Sequence, residues 1–286
     1  MRHLGPTLAA LLLAVSPLAA QTNPAPAPPK NDKVPLSDAD LNDMLKAWER
    51  KLTGIDRLET KCSRVEIEAL RGKKQEFAGK AVFLKPNMAK LILSNVERPQ
   101  EDREYYISNG NHLYEFQFRN KVVRVHDLPK GGGVSDDTFL AFLFGMKAED
   151  ALKRYVLQAW SKPNQPFIYI RVSPKLPADK QEFTEAQLVF WSQKAGDFNP
   201  AWADWALLPA RLWFKNPNDN TVTWTFSEPN LRVKLEKADF VEPSLKDLPK
   251  EWRIEKADAG PAADPRRPQS TYTIPNPDVP PTKVRQ

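Results

Sequence analysis

The sequence predicts an α+β protein: a single, strongly curved antiparallel sheet of ten or more strands, preceded by an amphipathic helix and interrupted by a central helical lid. Three observations carry this expectation. Apolar residues recur at helical spacing near the start of the folded region. Short segments rich in Val, Ile, Phe and Tyr then follow one another at hairpin-like intervals to about residue 236. One segment in their midst, 139–144, is apolar all round and so requires burial on most sides.

The composition permits such a core: 41% of the 286 residues are hydrophobic and 10% aromatic. The 27 Pro against 11 Gly place most of the proline outside regular structure. One Cys excludes an intrachain disulfide and a cysteine-based zinc site. The net charge of +6 is mild and spread along the chain, too diffuse for nucleic acid, and no aromatic-and-basic recognition strip is visible.

Residues 1–20 read as a secretory signal. Arg2 supplies a short positive start, 4–15 is an apolar run broken only by Pro6, and 16–20 is a small-residue exit ending at Ala20. The run is shorter than the roughly 20 residues that span a bilayer, though an uncleaved anchor is the alternative. The expected location is therefore periplasmic or secreted after cleavage near Ala20. Residues 21–36, with five prolines, form a tether. The domain is expected over 37–256. Residues 257–286 form a disordered tail with seven prolines, whose Arg266, Arg267, Lys283 and Arg285 either meet an anionic polymer or are solvated.

Within the domain, Ser37 followed by Asp40 resembles a capping box, and Leu41, Met44, Leu45, Trp48 and Leu52 recur at helical spacing, so 38 to about 53 is a helix ending at Gly54. Strands are expected at 60–70, 77–85, 90–96, 105–108, 112–118, 121–126, 166–172, 186–191, 207–215, 221–227 and 231–236, with Arg71-Gly72-Lys73 and Asn109-Gly110 as hairpin turns. Asp136 and Asp137 cap the 139–144 helix or, alternatively, bind a cation, and a second helix is expected from 148 to about 157 with Leu152, Tyr155 and Val156 inward. Val222, Trp224 and Phe226 share a face, as do Tyr114, Phe116 and Phe118, which gives the sheet one greasy aromatic face.

Enzymatic motifs are missing from the sequence: there is no Gly-x-Ser-x-Gly elbow, His-Glu-x-x-His helix or P-loop. Beyond the leader only His112 and His126 remain. His126-Asp127 is either half of an acid–base pair or a solvated strand end. Lys130-Gly131-Gly132-Gly133 lacks the spacing of a phosphate loop and reads as a hinge. Cys62 is expected as a small buried apolar side chain, with an intermolecular disulfide as the alternative. No cofactor and no metal are expected.

The stretch K-A-V-F-L-K-P-N of residues 80–87 resembles the strand and turn of the periplasmic lipoprotein carrier LolA and its relatives, and I-S-N-G-N-H-L-Y of 107–114 resembles that family's next hairpin. L-L-P-A-R-L-W-F of 207–214, 221–226, and K-A-D-F of 237–240 with Pro243 and Pro249 resemble its closing strands and exit. The likeness runs in the family's order over about 41–252. The Pro-rich flanks also resemble those of a family of exported planctomycete proteins.

The resemblance implies an incomplete β-barrel closed by helices around an apolar cavity for acyl chains of lipoproteins or another lipid. It implies a monomer without enzymatic activity that meets membrane-bound donor or acceptor proteins; a sensor or scaffold using the same fold to bind a protein is the alternative. Candidate lining residues are Phe83, Leu91, Leu93, Tyr114, Phe116, Phe142, Phe144, Tyr169, Phe190, Leu212, Phe214, Trp224 and Phe226. Lys85 stands where the family has an Arg that latches the lid, and it lacks the planar fork of that Arg. The stretch 192–206, with Phe198, Trp202 and Trp205, is longer than the family's hairpin.

Overall fold

The computed structural model describes residues 32–128, 147–241 and 248–256. Helix α1 spans Asp38–Gly54. The Ser37 hydroxyl accepts from the Asp40 amide at its N-terminus, and Asp38 and Asp40 sit in the positive first turn. Leu41, Met44, Leu45 and Trp48 form its buried stripe.

Thirteen strands follow one another into a single sheet: β1 (Val34–Pro35), β2 (Arg57–Ile67), β3 (Lys74–Leu84), β4 (Met88–Asn95), β5 (Arg103–Asn109), β6 (His112–Gln117), β7 (Val122–Asp127), β8 (Tyr155–Ser161), β9 (Phe167–Pro174), β10 (Glu185–Trp191), β11 (Pro209–Lys215), β12 (Thr221–Asn230) and β13 (Arg253–Lys256). Their order is β1-β8-β9-β10-β11-β12-β2-β3-β4-β5-β6-β7-β13. Every pairing is antiparallel except β13 with β7. The sheet does not close on itself, so β1 and β13 remain its edges and the architecture is an open half-barrel. Three short helices decorate it: α2 (Ala148–Arg154), α3 (Pro177–Glu182) and α4 (Ala195–Phe198).

The hairpin turns form at the expected places. Gly72 adopts φ 61° between β2 and β3, and Gly110 adopts φ 96° between β5 and β6. At the second turn the Asn109 side chain accepts from the amides of Asn111 and His112. Gly79, at the centre of β3, allows a close strand approach: a Cβ there would lie 1.8 Å from the Ile92 carbonyl oxygen.

Helix α1 packs across β8 to β12. Leu41, Met44, Leu45 and Trp48 join Ala151, Tyr155, Ile170, Val172, Ala186, Leu188, Phe190 and Leu212 in one buried cluster. Trp48 is 0% exposed and meets the Phe190 ring edge-on at 5.2 Å. The buried ion pair of Arg154 with Asp179 ties the end of α2 to α3, the guanidinium Nε donating to Oδ2 at 3.2 Å.

The opposite face is covered elsewhere, over β3 to β7. There Val82, Leu84, Met88, Ile107, Tyr114, Phe116 and Val123 pack with Phe240, Leu235, Leu248 and Trp252 from the returning C-terminal segment. Trp252 lies 5.3 Å from Phe118 and 6.2 Å from Phe116.

Three expectations are corrected. The second helix stops at Arg154, and Tyr155–Ser161 is strand β8 with Val156 pointing outward; alternation of a β-branched and aromatic run overrides the weaker helical spacing. Residues 231–236 form no strand, because β12 itself continues to Asn230 and the chain then crosses the sheet. The sheet has aromatic residues on both faces rather than one: pairing carries Val222, Trp224 and Phe226 to the α1 side and Tyr114 and Phe116 to the other. The expected helix at 139–144, the hinge at 130–133 and the cap at Asp136 and Asp137 lie outside the described residues.

Trp48→Ala is expected to lower unfolding free energy by about 3–5 kcal/mol, since it empties a fully enclosed site under α1. Urea denaturation followed by circular dichroism measures it, and a loss below about 1 kcal/mol would mean that the helix is not a structural lid on β8 to β12.

Candidate functional site

Strand pairing sorts the candidate lining residues by face. Register runs Leu212↔Trp224↔Arg64↔Phe77 across β11, β12, β2 and β3, and Phe226↔Cys62↔Gly79↔Leu93↔Glu104 one step along. Directly opposed residues share a face, so Phe83, Leu91, Leu93, Phe190, Leu212, Phe214, Trp224 and Phe226 all belong to the α1 face. Tyr114, Phe116 and Tyr169 belong to the other. Phe142 and Phe144 lie outside the described residues.

The residues on the α1 face are not equivalent. Leu93, Phe190 and Leu212 are fully buried and belong to the packed core. Phe83, Leu91, Phe214, Trp224 and Phe226 are half-buried. Trp224 and Phe226 stack with their rings 6.2 Å apart and nearly parallel. Between neighbouring strands at about 4.8 Å, β12, β2, β3 and β4 make an apolar trough about 14 Å across beside α1.

The trough ends in charge. Arg64 is 7% exposed, and its guanidinium lies over the Phe77 ring at 4.5 Å and the Trp224 ring at 5.2 Å. It grips Glu104 of β5 with both terminal nitrogens, Nη1 donating at 2.9 Å, and its Nε stands 2.8 Å from Glu66. Burial pushes the Glu66 carboxyl above its ordinary range against the pull of Arg64. Sequence reading missed this triplet. The signal lay in Arg and Glu at positions facing apolar neighbours within strands, but no spacing rule joins residues forty apart.

Further along the face, His126 Nε2 lies 3.2 Å from Glu115 Oε2 across β6 and β7. The His126 hydrogen bond, followed by that of Gln117 and the nearby charge of Arg124, holds Glu115 below the usual carboxylate range. His126 thus pairs with Glu115, whereas Asp127 faces His112 at 3.3 Å. Cys62 is buried against Phe77 and Leu93, and burial pushes its thiol up to about 11, so it is protonated at neutral pH.

Lys85 does not reach across the trough. Its ammonium donates to the Thr53 carbonyl and lies 3.5 Å from Asp56, tying the end of α1 to the β3–β4 turn. The lid loop that the family resemblance assigns to it is outside the described residues.

The opposite face has a cleft of about 580 Å³ lined by Ile92, Ser94, Arg103, Glu104, Tyr105, Phe116, Phe118, Leu248, Pro249 and Trp252. Of the candidate residues it takes in Phe116. Among the described residues no cluster of His, Cys, Asp and Glu could hold a metal ion.

The fold and site together define an open antiparallel half-barrel with a helix-bordered apolar trough leading to buried charge. No protein-family model matches the chain, nor does any curated protein. Solved structures similar to it include an uncharacterized conserved protein from Thermus thermophilus, with 9% identity and a TM-score of 0.41 over 78% of this chain and 100% of that one. A LolA superfamily protein from Nitrosomonas europaea is 10% identical over 71% of this chain and 97% of its own, with a TM-score of 0.35. The lipoprotein LppX of Mycobacterium tuberculosis is 13% identical over 70% of this chain and 100% of its own, with a TM-score of 0.39.

Two outcomes test this geometry. Arg64→Met should cost about 3–5 kcal/mol, because Glu104 is left charged and buried, whereas Arg64→Met with Glu104→Leu should recover most of that loss. Additive losses in the double-mutant cycle would show that the two do not act as a pair. Because Glu115 is depressed on folding, its contribution is present at neutral pH and fades as pH falls below its unfolded value of 4.5. Stability of the wild type should therefore drop more steeply below about pH 4.5 than that of Glu115→Gln; parallel curves would refute the assignment.

Proposed function

We propose that this protein binds the acyl chains of a lipid or lipoprotein in the trough on the α1 face and acts as an exported carrier rather than an enzyme. The observation that carries this reading is the half-buried row of Phe83, Leu91, Trp224 and Phe226 beside a core that α1 already fills. Core residues in the same strands are enclosed completely, so this row presents apolar surface that its own helix does not cover. An acyl chain gains about 0.8 kcal/mol per methylene buried, so about 16 carbons offer roughly 12 kcal/mol before the costs of ordering. Strands of 11 residues, such as β2 and β3, are long enough to line such a chain.

The charged side chains support binding over catalysis. Arg64 is engaged by Glu104 and Glu66, and His126 by Glu115, so these groups serve one another. They also give the trough a polar boundary, suited to an amphiphile whose head stays outside the apolar strip. The resemblance of residues 80–87 and 107–114 to the lipoprotein carriers agrees with this reading.

Leu91 and Ile92 provide an internal control, because adjacent strand residues point to opposite faces. Leu91→Asp should weaken binding of a fluorescent fatty acid at least tenfold, while Ile92→Asp should leave it within about twofold. Denaturing mass spectrometry of protein purified from its export compartment should also reveal bound lipid. No lipid and no probe binding would end the carrier reading, and the reverse mutational pattern would move the ligand to the cleft beneath Trp252.

A further inference from the structure

The Trp-bearing stretch 192–206 is not explained by the trough. Its helix α4 and the following 3-10 turn, Pro200–Trp205, sit on the side of β10 that faces away from α1's core. Trp191 anchors the group, with Trp202 at 5.1 Å, Trp205 at 5.0 Å and Phe167 at 4.7 Å. Trp191 is buried, Trp202 and Trp205 are half-buried, and Phe198 is 47% exposed at the end of α4.

This aromatic group is continuous with a basic cleft. Ile55 and Leu231 belong to the same apolar cluster as Trp202 and Trp205, and both also line a cleft of about 390 Å³ with Arg50, Lys51, Gly54, Asp56 and Arg57. Lys51 donates to the Asp204 carbonyl between the two tryptophans, and Arg232 donates to the Asp204 carboxylate at 2.7 Å. The one acid in the cleft, Asp56, lies near Lys85. Arg50 and Arg57 are exposed and have no ion pair or hydrogen bond to any described residue.

We infer that this rim is a docking surface for an anionic lipid bilayer. The charge complementarity selects that partner: unpaired guanidinium groups attract acidic headgroups, while indole rings and an exposed Phe suit the boundary between headgroups and acyl chains. The surface is independent of whether the trough carries lipid. It would bring one end of the half-barrel to the membrane by a reversible, salt-sensitive contact.

Vesicle sedimentation tests this, using the protein expressed with its own leader and purified after export. It should bind vesicles of mixed phosphatidylcholine and phosphatidylglycerol, bind pure phosphatidylcholine far more weakly, and dissociate as salt rises. Arg50→Gln with Arg57→Gln should weaken binding about 30-fold, or roughly fivefold per charge. Phe198→Ser should weaken it separately, and both variants should retain wild-type circular dichroism and fatty-acid binding. Absence of vesicle binding, equal affinity for neutral vesicles, or wild-type affinity in both variants would overturn the proposal. Loss of fatty-acid binding with intact vesicle binding would instead strike the trough alone.

Discussion

A wide sheet has two faces, and this one presents apolar side chains on both. The requirement that water be excluded from each governs the remaining architecture. Helix α1 covers β8 to β12 on one side, and the C-terminal return through Phe240 and Trp252 covers β3 to β7 on the other. The two covers are diagonal to one another. What each leaves open is therefore diagonal too: the trough beside α1, and the Trp-rich rim behind β10.

Burial of charge at the middle of the sheet follows from the same arrangement. Arg64 lies where the α1 face passes from aromatic to polar neighbours, flanked by Phe77 and Trp224 and held by Glu104 and Glu66. A guanidinium suits this place because its faces accept aromatic rings while its edge meets carboxylates. An amine would satisfy the charge but not both rings. The triplet thus fixes β2 against β5 from above, across two intervening strands, and marks where the apolar trough stops.

The trough and the rim differ in how they meet their surroundings. In the trough the aromatic and aliphatic side chains are half-buried among their own strands, a setting for a chain-like apolar ligand. On the rim a few aromatic groups stand next to unpaired arginines, a setting for a surface of mixed polarity. One fold can serve both because the first uses the sheet's face and the second the loops at its end.

Local pattern determined a good part of this molecule. The α1 stripe from Leu41 to Trp48, the Ser37 cap, the hairpin turns at Gly72 and Gly110, and most strands could be read directly, since each depends on residues a few positions apart. Alternation also showed which residues share a side within one strand, as with Val222, Trp224 and Phe226. It could not relate that side to Tyr114 and Phe116, because the parity between distant strands is set only as register accumulates through five successive pairings. The Arg64–Glu104 pair, the hold of Lys85 on Thr53, and the meeting of Trp202 and Trp205 with Arg50 and Arg57 were likewise decided in three dimensions. Each joins side chains far apart in the chain, where neither propensity nor spacing acts.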